Sequence, residues 1–380
     1  MNLPIPFNRP SPQGNELTYL SEALQRGHIS GDGFFSKECH RLIEEVLGVH
    51  KALLTTSCTH ALEMSALLLD IQPGDEVILP SYTFVSTVNA FVLRGAKPIF
   101  IDIRSDTLNF DETELERLIS SKTRAIVLVH YAGVACEMDT IMQIAKTYQI
   151  PIVEDNAHGL FGAYKGRYLG TFGQLATQSF HETKNFTCGE GGMLLINNPQ
   201  LVERAKIIRE KGTNRDRFFR GQVDKYTWVD LGSSYLPSDM LAGYLLAQLE
   251  IRDKIQSKRA QIWQNYFVGL EDWANRHGIQ LPVIPEHCTQ AYHMFYLLFP
   301  SFDKRQSTIL HLKSQNILSV FHYMPLHLSE MANQWNYRAG DFPVTERVSN
   351  TIVRLPFYNE ITETEQQRVI DALLSFQQKS

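Results

Sequence analysis

Between about residue 50 and residue 200, short apolar runs alternate with stretches of helical periodicity, and few architectures satisfy that pattern. The predicted strands are 76–79, 98–103, 124–129, 152–154, 175–180 and 193–196, and the predicted helices between them include 59–70, 113–120 and 139–148. A parallel crossover needs a connection long enough for a helix on the sheet face. The pattern therefore predicts an α/β fold with a mostly parallel sheet covered on both sides. In such a fold ligands sit at the loops beyond the strand ends.

After Ser238 the pattern changes. Residues 239–273 favour one long helix, strands at 291–299 and 318–323 flank a helix at 303–312, and a last helix runs over 362–376. This predicts an N-terminal arm (1–15), a large α/β domain (16–245) and a smaller C-terminal α+β domain (246–380). A hydrophobic fraction of 43% supports a packed core, and a net charge of −5 gives no global basic field for nucleic acid. No window offers about 18 uninterrupted apolar residues, and the start lacks the basic and apolar regions of a signal peptide, so the expected location is cytoplasmic, without a membrane. The cysteines at 39, 58, 136, 188 and 288 are too scattered for a zinc or redox pair, and no metal site is expected.

Four strand-end segments carry residue types with chemistry. Ser57, Cys58 and Thr59 precede a helix whose exposed amides and dipole suit a phosphate, although a plain N-cap has the same composition. Asp155 ends a hydrophobic strand, where a carboxylate could hold a pyridine-type ring nitrogen protonated. Lys184 follows the strand containing Ser179, where a lysine with a lowered pKa could form a Schiff base with an aldehyde cofactor. Phe84, after the 76–79 strand, could stack on a flat ring or simply join the core.

At these residues the sequence resembles the DegT family of sugar-nucleotide aminotransferases, within the aspartate-aminotransferase-like, fold type I enzymes. The resemblance runs from Ile29-Ser30-Gly31-Asp32-Gly33 through 80–89, Val129-His130-Tyr131-Ala132-Gly133 and the Asp155 and Lys184 segments to His322-Tyr323-Met324-Pro325-Leu326-His327. It implies pyridoxal 5'-phosphate as cofactor, passing through pyridoxamine phosphate, and a homodimer with active sites at the interface. It makes Lys184 the covalent attachment point and proton carrier, and Asp155 the partner of the ring nitrogen. His158 falls beside the ring oxygen, Phe84 over the ring face, and Cys58, Thr59 and Ser179 at the phosphate. Ser234 stands where many relatives have an asparagine reaching the partner's phosphate. A dehydratase branch of the family carries histidine in place of the lysine, so Lys184 implies transamination.

Residues 179–184, 209–215 and 218–228 are similar to a narrower branch. Its members use L-glutamate, released as 2-oxoglutarate, to aminate dTDP-4-keto-6-deoxy-D-glucose, giving dTDP-4-amino-4,6-dideoxy-D-galactose for surface glycans. Amination at C3, the opposite configuration at C4, or a regulator that binds the cofactor without turnover are the alternatives. The diphosphate of such a substrate calls for cations, and Lys211, Arg215, Arg217, Arg220 and Lys225 form the densest basic cluster. His181 and His327 are expected to face the sugar.

Overall fold

The computed structural model describes residues 3–376. In chain order the strands are β1 (Lys51–Thr55), β2 (Glu76–Pro80), β3 (Lys97–Ile101), β4 (Thr123–Val129), β5 (Ile152–Asp155), β6 (Ala163–Tyr164), β7 (Arg167–Tyr168), β8 (Leu175–Ser179), β9 (Gly192–Ile196), β10 (Cys288–Thr289), β11 (Tyr296–Leu298) and β12 (Ile352–Arg354). The helices are α1 (Glu16–Gln25), α2 (Phe34–Leu47), α3 (Cys58–Leu68), α4 (Val85–Val92), α5 (Leu115–Leu118), α6 (Met138–Tyr148), α7 (Val202–Arg209), α8 (Arg215–Phe219), α9 (Asp239–Glu250), α10 (Arg252–His277), α11 (Phe302–Ser314), α12 (Pro343–Thr351) and α13 (Glu363–Leu374).

The central sheet has the order β1-β9-β8-β5-β4-β2-β3. Every neighbouring pair from β8 to β3 is parallel, and β9 alone runs the other way, pairing antiparallel with both β1 and β8. Alternate strand residues point to opposite faces. Leu53, Val127, Val153 and Leu194 pack with Ala61 and Phe91 of α3 and α4 on one side. On the other, Leu54 and Leu195 meet α2 and α9, while Ile126, Leu128 and Ile152 meet α6. Burial on both faces explains why these strands read as continuous apolar runs.

The C-terminal part has its own core, in which Tyr266 and Leu270 of α10, Leu312 of α11, Val353 of β12 and Leu373 of α13 enclose Ile5 of the N-terminal arm. Three sequence expectations change here. The helix expected over 239–273 is two helices, because Ile251 leaves helical geometry (φ −104°, ψ 24°) without any glycine or proline to announce it. The strand expected at 318–323 is reduced to one bridge between Val320 and Arg354, and Tyr323 takes a positive φ of 37° that ends any extended run. Of 291–299, only β11 pairs as a strand, with β12. β1 escapes the alternating pattern because its Ala and Leu favour helix, and its pairing with β9 makes it a strand.

Candidate active site

The carboxyl ends of the parallel strands converge on one cavity of about 740 Å³. β5 delivers Asp155 to it, β8 delivers Ser179, the turn after β8 delivers Lys184, and the loop from β2 into α4 delivers Phe84. Ser57, Cys58 and Thr59 line its opposite part at the start of α3. Ser57 does cap that helix, its Oγ accepting from the His60 amide at 3.1 Å. Cys58 and Thr59, the first residues of α3, lie at the cavity, where the N-terminus of a helix suits an anion.

Gly192 makes this turn possible. Paired with Thr55 in the sheet, it lies so close to the chain that an added Cβ would come within 2.2 Å of the Ser57 carbonyl carbon and 2.3 Å of the Cys58 nitrogen. Gly192→Ala is therefore expected to destabilise the protein by about 3 kcal/mol or to displace the α3 turn and weaken cofactor affinity. Thermal denaturation alongside a cofactor titration checks it; wild-type values for both would contradict the packing.

Asp155 is buried, and both its oxygens are held: Thr87 Oγ1 donates to Oδ2 at 2.7 Å and the Ala157 amide to Oδ1 at 3.2 Å. Burial raises its pKa, against the pull of those hydrogen bonds and of Lys184. Burial lowers the Lys184 pKa to about 8, opposed by Cys58 and Asp155 and helped by Arg354. An amine so placed is largely unprotonated at mildly alkaline pH, the state a nucleophile needs.

The shift also sets a stability prediction for the cofactor-free protein. Below pH 8 lysine is charged in both states and the burial cost is fully present. Between about 8 and 10.5 the unfolded chain holds the extra proton, so stability rises with pH, and above that the cost is gone. Lys184→Met should thus stabilise the cofactor-free protein at pH 7 by on the order of 3 kcal/mol, with the gain fading through that window. Denaturant unfolding from pH 7 to 10.5 measures it; a gain independent of pH would contradict the burial account.

His158 closes another side. Its ring stacks on His293 at 4.2 Å, its Nε2 lies 3.4 Å from the Tyr323 hydroxyl, and its buried Nδ1 has no partner among the described residues. His158, His293 and His322 are all pushed well below the usual histidine range, first by burial, and so form a neutral wall. The mouth is apolar, with Phe84, Val85, Phe321, Met324 and Leu326.

Sequence reasoning assigned no role to His293, His322, Tyr323, Thr87 or Arg354, although all but Thr87 line the cavity and Thr87 holds Asp155. Arg354 had a signal of its own, as the single cation in the apolar run Ile352-Val353-Arg354-Leu355.

His181 lines the cavity, as expected from sequence, but His327 does not. His327 is buried, with Nδ1 at 2.7 Å from Ser81 Oγ and Nε2 at 3.1 Å from Glu346 Oε1, so both nitrogens are spent on packing the 325–328 turn. Nor do Lys211, Arg215, Arg217, Arg220 and Lys225 reach the cavity of their own chain. Glu210 holds Lys211 and Arg215, while Glu203 holds Arg217 and, with Asp216, Arg220; Lys225 is exposed. Ser234 is exposed, bridged to Glu210 outside the cavity.

The residues present fit pyridoxal phosphate. A carboxylate, an amine of lowered pKa, an imidazole with an open nitrogen and a helix N-terminus answer its ring nitrogen, aldehyde, ring oxygen and phosphate in turn. Fold and cavity together define a fold type I, pyridoxal-phosphate-dependent transaminase.

The comparisons give the family. The model of the DegT/DnrJ/EryC1/StrS aminotransferase family matches residues 10–374, and the chain belongs to that family. It is 36% identical over 377 residues to the uncharacterised protein MJ1066 of Methanocaldococcus jannaschii, covering 97% of this chain and 96% of the relative. Among solved structures it is similar to Spr1654 of Streptococcus pneumoniae, assigned as a sugar aminotransferase and seen in PMP and PLP forms. The PMP form superposes with a TM-score of 0.91 at 27% identity over 98% of both chains. DesV of S. venezuelae matches with a TM-score of 0.86 at 28% identity, over 95% of this chain and 93% of that one. The protein is a sugar aminotransferase that takes an amino donor and a sugar substrate. No helix among the described residues is long and apolar enough to cross a membrane.

Proposed function

We propose that the enzyme uses L-glutamate to aminate dTDP-4-keto-6-deoxy-D-glucose at C4, giving dTDP-4-amino-4,6-dideoxy-D-galactose for surface glycans, in the cytoplasm. The observation that carries this reading is the apolar mouth of Phe84, Val85, Phe321, Met324 and Leu326 above Lys184, which suits a sugar with a methyl group in place of a hydroxymethyl. The resemblance of 179–184, 209–215 and 218–228 supports the choice of nucleotide and position.

Pyridoxal phosphate, when bound, supplies an electron sink that stabilises the carbanion left by proton removal. In this reading Lys184 holds it covalently and, once freed, takes and returns the proton at Nζ. Asp155 would keep the ring nitrogen protonated, and His158 would offer its open Nδ1 to the ring oxygen. The first amides of α3 and the hydroxyls of Ser57, Thr59 and Ser179 hold the phosphate, with Cys58 contributing its backbone. Phe84 would cover the ring face and His181 would meet the sugar.

Ser234 and the basic residues Lys211, Arg215, Arg217, Arg220 and Lys225 belong, in this reading, to the partner's cavity in a homodimer. Large exposed aromatics between them, Phe219 and Trp228, suit burial against a second subunit. In this reading the site forms between the large unit of residues 16–245 and the smaller one that follows from 246.

Incubation with L-glutamate and a panel of nucleotide-linked keto-sugars, followed by NMR of the product, tests the proposal. The expected product carries an axial amine at C4 of a dTDP-linked 6-deoxysugar. Amination at C3, an equatorial amine, or preference for another nucleotide would contradict it.

A further inference from the structure

Two buried tyrosines just outside the cavity, Tyr82 and Tyr131, fix the state of one residue that lines it, His322. The Tyr131 hydroxyl is 2.7 Å from His322 Nδ1 and 3.3 Å from the Tyr82 hydroxyl, which itself donates to the His322 carbonyl at 2.9 Å. Each hydroxyl has one proton to give. The carbonyl only accepts, so the proton of Tyr82 is spent on it. Tyr131 then gives its own either to Tyr82 or to His322. A separation of 3.3 Å is long for O–H···O, whereas 2.7 Å is the usual length for a hydroxyl donor. Tyr131 therefore donates to Nδ1. Burial raises the pKa of Tyr131 and lowers that of His322, so both groups stay neutral.

A neutral imidazole with a bare Nδ1 carries its proton on Nε2. That nitrogen makes no hydrogen bond among the described residues, while the ring lines the cavity and stacks on Tyr323 at 3.5 Å. His322 thus offers the cavity a fixed, uncharged N–H. His293 is the reverse case. Asn185 turns its Nδ2 to the Ala291 carbonyl and its Oδ1 to His293 Nδ1 at 2.9 Å, so the proton of His293 is on Nδ1 and its Nε2 is bare.

The cofactor leaves this donor over. Its ring nitrogen, aldehyde, ring oxygen and phosphate are answered by Asp155, Lys184, His158 and the start of α3, so the N–H of His322 falls to a substrate. Position and charge both favour the sugar. His322 belongs to the run from Phe321 to Leu326, in which Phe321, Met324 and Leu326 form part of the apolar mouth. An uncharged donor matches the uncharged oxygens of a sugar, whereas a carboxylate is met more strongly by a cation.

We propose that His322 donates a hydrogen bond from Nε2 to an oxygen of the keto-sugar, as a specificity-determining contact, and that Tyr131 is the residue that positions it. The inference rests on the transaminase reading and adds to it a contact with the acceptor substrate. No proton changes hands, because a neutral imidazole N–H binds an oxygen without giving its proton up. A nitrogen locked as a donor selects a sugar with a keto or hydroxyl oxygen at that place over one with an apolar group there. Its contribution falls mainly on the sugar half of the cycle.

Nitrogen-15 NMR of histidine-labelled holoenzyme reads the tautomer without turnover, with His322 assigned through His322→Gln. The wild type should show Nδ1 bare and Nε2 protonated. Adding the nucleotide-linked keto-sugar to the pyridoxal form, with which it does not react, should shift the Nε2–H resonance, and 2-oxoglutarate should not. The two half-reactions are then followed separately by cofactor absorbance, with L-glutamate on the pyridoxal form and the keto-sugar on the pyridoxamine form. His322→Leu should lose roughly 30-fold in kcat/KM with the keto-sugar, at least about tenfold more than with L-glutamate, and H322Q, which keeps an N–H donor, should recover part of it. Tyr131→Phe, outside the cavity, should move the Nδ1 resonance and cost roughly fivefold with the keto-sugar. A proton on Nδ1 in the wild type, a shift with 2-oxoglutarate but not with the sugar, or equal losses in both halves would overturn the contact. A keto-sugar that shifts the Nε2–H resonance yet receives no amino group would support the contact and contradict the reaction.

Discussion

Lys184→Ala should lower turnover by roughly 10⁴-fold or more, the scale on which removal of a nucleophile that also shuttles a proton is felt. No other lysine lines the cavity among the described residues. The remaining cation, Arg354, cannot act as a base at ordinary pH, and the cavity's histidines are held at its wall, His158, His293 and His322 by stacking and hydrogen bonds and His181 through Nδ1 at Thr183 Oγ1. The loss should be chemical and not structural. Removing a buried amine does not harm the fold, and the α3 turn and Asp155 remain to bind the cofactor without a covalent link. A K184A protein that retained cofactor on a desalting column but failed to transfer an amino group would show this. Measurable turnover within tenfold of wild type would mean that another group does the work.

Asp155→Asn should cost about 10²–10³-fold in turnover, comparable to the loss of a preorganised electrostatic contact elsewhere in enzymes. The substitution keeps the shape. Thr87 and the Ala157 amide can still hydrogen-bond the side chain, but the negative charge opposite the ring nitrogen is gone. Stability distinguishes this from a folding defect. Burial raises the Asp155 pKa, so in the cofactor-free protein its charge is a burden at neutral pH, and D155N should be as stable as wild type or more so. Turnover that fell only in step with melting temperature would contradict the electrostatic role.

What could be read from sequence was whatever chemistry is local to a strand end. Asp155 ends an apolar run, Lys184 follows one after a short turn, and Ser57 to Thr59 open a predicted helix, so the alternating pattern put them near one edge before any contact was known. Arg354, His293 and His322 come from the C-terminal part, more than 100 residues beyond Lys184. What brings them to the cavity is packing across the junction, where Tyr82 and Tyr131 meet Met294 and Tyr296, which no local pattern encodes.

The basic cluster misled in the other direction. Lys211, Arg215, Arg217 and Arg220 look available in the sequence, but Glu203 and Glu210 upstream and Asp216 among them fall within reach once α7 and α8 form. His327 likewise reads as a ligand until Ser81, 246 positions away, takes its Nδ1. The fold's layers were legible because burial on both sheet faces writes itself into composition. The break at Ile251 was not, since it depends on how α10 leaves toward the C-terminal core.

The most direct test of the central claim is to trap the cofactor where it is held. Holoenzyme reduced with borohydride, digested and analysed by mass spectrometry should carry the phosphopyridoxyl group on the peptide containing Lys184. Prior incubation with L-glutamate should abolish the label, because the cofactor then leaves the lysine as its amine form. Label on a different lysine, or label on Lys184 that glutamate does not remove, would contradict it.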